Sequence, residues 1–309
     1  MAKIVRHFSQ SSVLVALNFA ILMWGLSGVF GKWVEADAYN IAFWRMAVAF
    51  IFMAFLFFIR RKKLLPDFDK KKALINLICG GLLAIHWFSF FTVIQMSTIG
   101  LGIIFHASFV FMVAIFEPII FRFKPKIWLL ISALIGSGGL IFTLCSNTIE
   151  ATPVLWGYGI ITALSYAILS LINRSRFLVN EDPFDSMSAQ LFYGALLFLP
   201  FSLFGSTDLF TPSTDMLGRL LLLGLFATAI GHSVYFWSLR YVSATKASLF
   251  TLLEPVYGIA FGMLLFKEYP DQTMMMGASI VIITAGIISL FSTVLTDEND
   301  EILNETEKP

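Results

Sequence analysis

Apolar residues run along this chain in long unbroken stretches, and ten of about twenty residues can be marked: 13–34, 39–59, 73–95, 99–121, 126–146, 154–173, 184–204, 216–238, 243–266 and 272–295. A hydrocarbon core of about 30 Å takes roughly 20 apolar residues to cross as a helix, and only helices and closed barrels satisfy the backbone in lipid. Barrel strands would alternate over about ten residues. These stretches are twice as long and do not alternate. The pattern therefore predicts an all-α integral membrane protein with ten transmembrane helices.

The polar segments between the stretches set topology. Residues 1–12 are short and polar, carry Lys3 and Arg6, and lead into a full-length span without a small-residue cleavage pattern, so the first span is expected to stay. The longest connection, 60–72, leaves no room for a soluble domain, and the acidic segment 296–309 reads as a disordered tail. With the start of the chain inside, 17 of the 21 Lys and Arg fall in inner segments and three outside (Lys32, Arg219 and Lys267), while Arg45 lies within a span. Basic residues are retained on the cytoplasmic side. Both termini are therefore expected in the cytoplasm and the chain in the cytoplasmic (inner) membrane, crossing it many times.

The two halves overlay at an offset near 146 residues. His86 then falls on His232, Phe90 on Phe236, and Gln95-Met96-Ser97-Thr98 on Tyr241-Val242-Ser243-Ala244. The division predicted is a first five-helix unit over 13–146, a second over 154–295, and the cytoplasmic tail 296–309. Five spans per unit make the second enter the membrane from the opposite side. Inverted repeats of this kind recur in carriers, where rocking one half against the other exposes a midplane site to alternate sides.

Composition agrees with the pattern: 58% of residues are hydrophobic, 16% aromatic and 13% charged, with mean hydropathy +0.83. Soluble domains have about 25% charged residues. A net charge of +1 supplies no basic field for nucleic acid. Cys79 and Cys145 both lie in apolar runs and read as small hydrophobes, so neither a disulfide nor a metal site is expected, and no cofactor.

Several segments carry a resemblance to a known family. Trp24-Gly25 in the first span, Phe43-Trp44-Arg45 opening the second, and the run Ala244-Thr245-Lys246-Ala247-Ser248 through Glu254-Pro255 to Leu264-Leu265-Phe266-Lys267-Glu268 are similar to the EamA branch of the drug/metabolite transporter superfamily. The chain departs from that pattern in its fourth span, where Phe109 stands at the position matching Pro255, and its Glu117-Pro118 sits nearer the inner end. The resemblance implies a carrier of small metabolites, export rather than uptake. It also implies a central cavity lined by helices one to four and six to nine, with five and ten at the periphery.

Ionisable groups inside spans cost at least about 2.5–3.5 kcal/mol on insertion scales, so each is a functional candidate. Glu254, beside Pro255, could bind an ammonium group or take up a proton, or could pair with His232 or a backbone donor to tie helices together. His86 and His232, at matching repeat positions, suit proton coupling because imidazole titrates near neutrality; each could equally be a hydrogen-bonded packing group. His106 is a third such histidine. Arg45 could snorkel to the outer interface or hold a substrate carboxylate through two parallel hydrogen bonds. Glu117 reads as pairing with Arg122 or Lys124, and Lys246 as an interface anchor. Trp24, Trp87, Phe90, Tyr166, Tyr193, Tyr235 and Trp237 are the aromatics placed to wall a substrate pocket, where a ring can stack or an ammonium can sit on a ring face. Asn18, Ser27, Asn173 and Gln190 are neutral hydrogen-bonding groups that also serve as helix glue. The glycines of the fifth and tenth spans fit close helix packing and would permit a homodimer.

No H-E-x-x-H, no G-x-x-x-x-G-K-[ST] and no G-x-S-x-G occurs. The expectation is therefore not an enzyme but a secondary transporter of a small amino acid, amine or related metabolite, with its partners limited to that substrate and the bilayer. An uncoupled permease or exchanger is the alternative within the class. A membrane enzyme or sensor is the alternative outside it.

Overall fold

The computed structural model describes residues 10–61, 69–122, 124, 127–144, 152–175, 182–203, 212–242, 247–248 and 250–293. The predicted tail 296–309, Cys145 and Lys246 lie outside the described residues. The elements are α1 (Gln10–Trp33), α2 (Ala38–Arg61), α3 (Lys70–Met96), α4 (Ile99–Ala107), α5 (Phe109–Phe121), α6 (Ile127–Leu144), α7 (Pro153–Arg174), α8 (Pro183–Ser202), α9 (Thr214–Leu222), a π-helical stretch (Leu223–Ile230), α10 (Gly231–Ser238), a 3-10 turn (Thr251–Leu253), α11 (Glu254–Phe261), a second π stretch (Gly262–Phe266) and α12 (Gln272–Thr293). Among the described residues there is no strand. Within the described residues six helices are long and apolar enough to cross a membrane: Ser11–Trp33, Ala38–Ile59, Lys70–Met96, Ile99–Phe121, Pro153–Arg174 and Thr214–Ser238.

Helix starts follow from capping chemistry. Asp69, Thr98, Thr152, Asp182 and Ser213 each accept a hydrogen bond from a backbone N–H of the first turn that follows. Pro153 and Pro183 occupy the first helical positions, where the missing N–H costs nothing.

Three helices are interrupted. The break between α4 and α5 falls at Ser108, whose hydroxyl donates to the Phe105 carbonyl at 2.7 Å and whose N–H is shared between Ile104 and Phe105 at 3.3 and 3.2 Å. This tightens one turn without a proline. The α9–α10 segment widens into the first π stretch, with Thr228 donating to the Leu223 carbonyl at 3.1 Å. The third break precedes α11, where Pro255 stands at the start of the helix and Thr251 donates to the Ser248 carbonyl at 2.5 Å.

The core gathers around α1, α3 and α7 with α2, α4, α8, α10 and α11 packed against them, while α6 and α12 pack chiefly on each other. Two glycine contacts set the closest approaches. A Cβ on Gly277 would stand 2.7 Å from the Gly139 carbonyl oxygen and would also overlap the Thr143 hydroxyl, so the glycines of α6 and α12 mesh within the chain. At the other contact, a Cβ on Gly80 of α3 would lie 2.6 Å from the Gln190 carbonyl and 2.7 Å from the Gly194 nitrogen of α8. Neither neighbour can rotate away, because both are backbone. Gly80→Ala is expected to cost about 1–3 kcal/mol through overpacking, seen as a lower melting temperature of the purified protein in detergent.

Beside that contact, Gln190 Nε2 donates to Asn173 Oδ1 at 2.8 Å and to Asn76 Oδ1 at 3.2 Å, clasping α7, α8 and α3. Asn173 and Gln190 are therefore helix glue. At the opposite end of α3, Lys32 pairs with Glu268, whose second oxygen accepts the N–H of Ile99 at 3.3 Å and so caps α4. One carboxylate ties the end of α1, the start of α4 and the segment before α12.

Candidate functional site

Where the broken helices meet, a cavity is lined by Trp24 and Ser27 from α1, Arg45 from α2, His86, Trp87 and Phe90 from α3, His106 from α4, His232 from α10 and Glu254 from α11. It is tight, with a volume of about 10 Å³, room for about one water. Thus α1, α2 and α3 from the first half meet α10 and α11 from the second, and the interruptions at Ser108 and before Glu254 both open onto it.

Arg45 is 2% exposed. Its Nε donates to Thr228 Oγ1 at 2.8 Å and its Nη1 to Ser27 Oγ at 2.7 Å, while Cζ stands 4.1 Å from the centre of the Trp87 ring. The snorkelling alternative is thereby excluded: the guanidinium is held inward by two hydroxyls and a ring face. The indole replaces part of the water the cation gave up, and the two hydroxyls leave other guanidinium N–H groups free for a ligand.

Glu254 is 2% exposed, and its Oε2 lies 3.3 Å from His106 Nε2. The histidine that meets it is therefore His106 and not His232, the partner anticipated from the sequence. His232 instead lies with its Nδ1 3.4 Å from the Tyr166 hydroxyl and its ring 4.5 Å from that of Trp24. His86 Nδ1 is 2.8 Å from the Thr162 carbonyl. A carbonyl can only accept, so that nitrogen carries a proton. The three imidazoles lie together: His86 and His106 are 4.8 Å apart between ring centres, and His232 lines the same cavity.

Trp24 stands at the centre of the aromatic wall, its ring 4.8 Å from Tyr235, 5.7 Å from Tyr166 and 6.2 Å from His106. Of the predicted pocket residues, Trp24, Arg45, His86, Trp87, Phe90, His232 and Glu254 line the cavity directly. Tyr166 and Tyr235 form a fully buried second row behind Trp24. Tyr193 does not join them: it is half-buried on α8, its ring beside Phe192 and its Cβ carbon near Gly80. The close α3–α8 contact turns that face of α8 toward α3 and away from the cavity.

Ser27 was read as a neutral hydrogen-bonding group or helix glue, and Thr228 and Thr162 had no assigned role. A usable signal was present for the threonines: Thr228 precedes His232 by four residues and Thr162 precedes Tyr166 by four, so helical periodicity puts each on the face of a recognised candidate. Glu117 is buried near Arg174, which donates to the Leu239 carbonyl at 2.7 Å. That cation, from α7, was not among those expected beside it.

Three buried polar atoms on the cavity wall have no hydrogen-bond partner among the described residues: Trp24 Nε1, His106 Nδ1 and Glu254 Oε2, whose approach to His106 lacks hydrogen-bond alignment. Buried polar groups are nearly always satisfied, and an unsatisfied group costs about 1–3 kcal/mol. A donor and an acceptor left open on one wall are what a polar ligand would fill. Among the described residues there is no cluster of three or more His, Cys, Asp or Glu suited to a metal ion.

The fold is shared with a protein of known crystal structure, which superposes with a TM-score of 0.71 at 14% identity, covering 93% of this chain and all of the other. The helices long enough to cross a bilayer and the relatives described next define a multi-pass membrane transport protein, not an enzyme. The EamA-like transporter family model matches residues 11–145 and again 154–290, and the chain belongs to that family. It is 24% identical over 284 residues to the uncharacterized transporter YxxF of Bacillus subtilis, covering 90% of this chain and 89% of that one. An uncharacterized transporter of Archaeoglobus fulgidus is 24% identical over 285 residues, covering 89% and 95%. An S-adenosylmethionine uptake transporter of Rickettsia felis is 32% identical over 162 residues, about half of each chain (51% and 51%).

Proposed function

We propose that the chain is a secondary carrier of a small amino acid, amine or related metabolite, bound in the cavity between Arg45 and Glu254. The observation that carries this reading is the set of unsatisfied buried atoms on the cavity wall, Trp24 Nε1, His106 Nδ1 and Glu254 Oε2, beside a guanidinium with donors to spare. Glu254 suits an ammonium or other cationic group, Arg45 a carboxylate, and Trp24, Trp87 and Phe90 a flat ring or an onium centre. S-adenosylmethionine, named for the Rickettsia relatives, carries all four features, and the cavity has a matching group for each.

In this reading the chain crosses a cytoplasmic membrane ten times, with both termini inside, as inverted units over 13–146 and 154–295 followed by the tail 296–309. The 17-to-3 distribution of Lys and Arg supports that orientation. Rocking of the two units against one another alternates access to the cavity. Proton coupling draws on the ionisable cluster around Glu254, which includes His86 and His232. The tight cavity fits a closed form that must expand to load. The family resemblance favours export, whereas the Rickettsia relatives are named for uptake; flux in both orientations decides between them.

The test is a thermal-shift screen of the purified protein against S-adenosylmethionine, amino acids and amines at pH 6 and pH 8, followed by flux into proteoliposomes. A ligand at 100 times its Kd adds about 2.7 kcal/mol of stability. Stabilisation by a cationic or zwitterionic compound, with flux of the same compound, is the expected result. Stabilisation by none of them, and no flux, would overturn the reading. Flux that ignores an imposed pH gradient would remove the proton from it and leave an uncoupled permease or exchanger.

A further inference from the structure

The contact between His106 and Glu254 joins two interrupted helices. His106 sits two residues before the break at Ser108, and Glu254 is the first residue of α11 after the 3-10 turn. Both side chains are buried, at 5% and 2% exposure. The titratable or charged groups around the pair come from four other helices. Arg45 of α2 is in electrostatic range of Glu254, His86 of α3 has its ring 4.8 Å from His106, Tyr166 of α7 has its ring 5.0 Å from His106, and His232 of α10 lines the same cavity. The other rings beside His106 are those of Trp24, Phe90 and Phe109. Arg45 is the permanent cation of this group, and it already bonds Ser27 and Thr228 and lies on Trp87.

A carboxylate this deep is costly unless a cation or a proton offsets its charge. When a cationic substrate is bound, its own charge does so. When the cavity is empty, the charge must come from the protein, and the group in contact is His106. We propose that His106, carrying one proton, is the internal counter-cation of Glu254 in the empty carrier, and that the cationic group of the substrate takes its place on loading.

This rests on reading the cavity as the transport site, and it names the element that regulates the empty carrier's return. The balance is simple. On release of substrate, one proton from the water on that side binds the His106 imidazole; on loading at the other side, that N–H bond breaks and the proton enters the water there. One proton moves against one substrate cation, and no other bond changes. Loaded carriers can cross in both directions without the proton. Empty carriers cannot return without it. Net movement of substrate therefore depends on His106 more than exchange of substrate for substrate does.

Two measurements on the full-length protein test the assignment. In the first, without ligand, the melting temperature of wild type, His106→Gln and Glu254→Gln is followed from pH 5 to pH 9. A cation that stabilises only the folded state contributes below its titration and is lost as pH rises through it. Wild type is expected to lose stability with rising pH, and both variants to lose less. An unchanged drop in His106→Gln would overturn the proposal, whatever the substrate proves to be.

In the second, proteoliposomes are loaded with labelled S-adenosylmethionine as the probe, and net efflux is compared with exchange. The ratio of net flux to exchange is expected to fall at least tenfold in His106→Gln. An unchanged ratio would overturn the proposal. If wild type moves the probe in neither mode, the substrate reading has failed, and the pH titration alone decides the role of His106.

Discussion

Replacing Arg45 with alanine is expected to destabilise the protein by about 3–5 kcal/mol and to abolish transport. The guanidinium is 2% exposed, donates to Thr228 and Ser27 from two different helices, and lies 4.1 Å from the centre of the Trp87 ring. Removing it takes away the permanent cation in electrostatic range of Glu254 and opens a cavity where three helices meet. Losing one partner from a buried charged network costs about that much. Lysine should not restore what alanine removes, because an ammonium cannot reproduce the fork that meets two hydroxyls while its face covers an indole. Thermal denaturation in detergent and proteoliposome flux check both claims. A melting temperature within a degree or two of wild type would mean that the hydroxyls and Trp87 do not depend on the cation.

Glu254→Gln should act differently: the fold survives and binding is lost. Glutamine keeps the shape, and it retains a carbonyl oxygen for His106 and for the wall of the cavity. What disappears is the charge facing the ligand. Truncating one member of a buried, hydrogen-bonded charge pair at a binding site costs about 2–5 kcal/mol, which is a rise in Kd of roughly 30-fold or more for a cationic or zwitterionic ligand. A neutral ligand should be affected far less. Calorimetric titration of the first ligand to emerge from the thermal-shift screen measures this, and a change below about threefold would mean that Glu254 does not touch the ligand's cation.

Much of the helical framework was legible because lipid imposes one strong rule, and long apolar runs are its direct signature. The interruptions were less legible. Pro255 announced the break before α11, but the break at Ser108 follows from a hydroxyl bonding back to the Phe105 carbonyl, and serine is too common in helices to signal that. The π stretch in the eighth predicted span gave no local sign at all.

Within the site, residue types were easier to read than pairings. Arg45 and Glu254 stood out as charges in apolar runs. Which histidine meets Glu254 depends on how helices from different halves are rotated and shifted against one another, and sequence spacing along one helix says nothing about that. His106 was read only as a third histidine, without a partner. Yet Glu254 itself maps onto Ser108, two residues from His106, and that proximity was the clue. Tyr193 was overrated because a tyrosine in a span invites a pocket role, whereas Gly80 and Gly194 turn its face of α8 against α3.

The π stretch Leu223–Ile230 has no counterpart in α3, the helix that carries the matching histidine. The two histidines are also held differently: the His232 ring lies on Trp24, while His86 Nδ1 meets the Thr162 carbonyl and its ring packs beside Tyr166. In the carrier proposed above, identical halves would make the inward-open and outward-open forms equivalent by a two-fold rotation and equal in energy. A π stretch in one half alone would lift that degeneracy and give the empty carrier a preferred resting side written into the winding of a single helix.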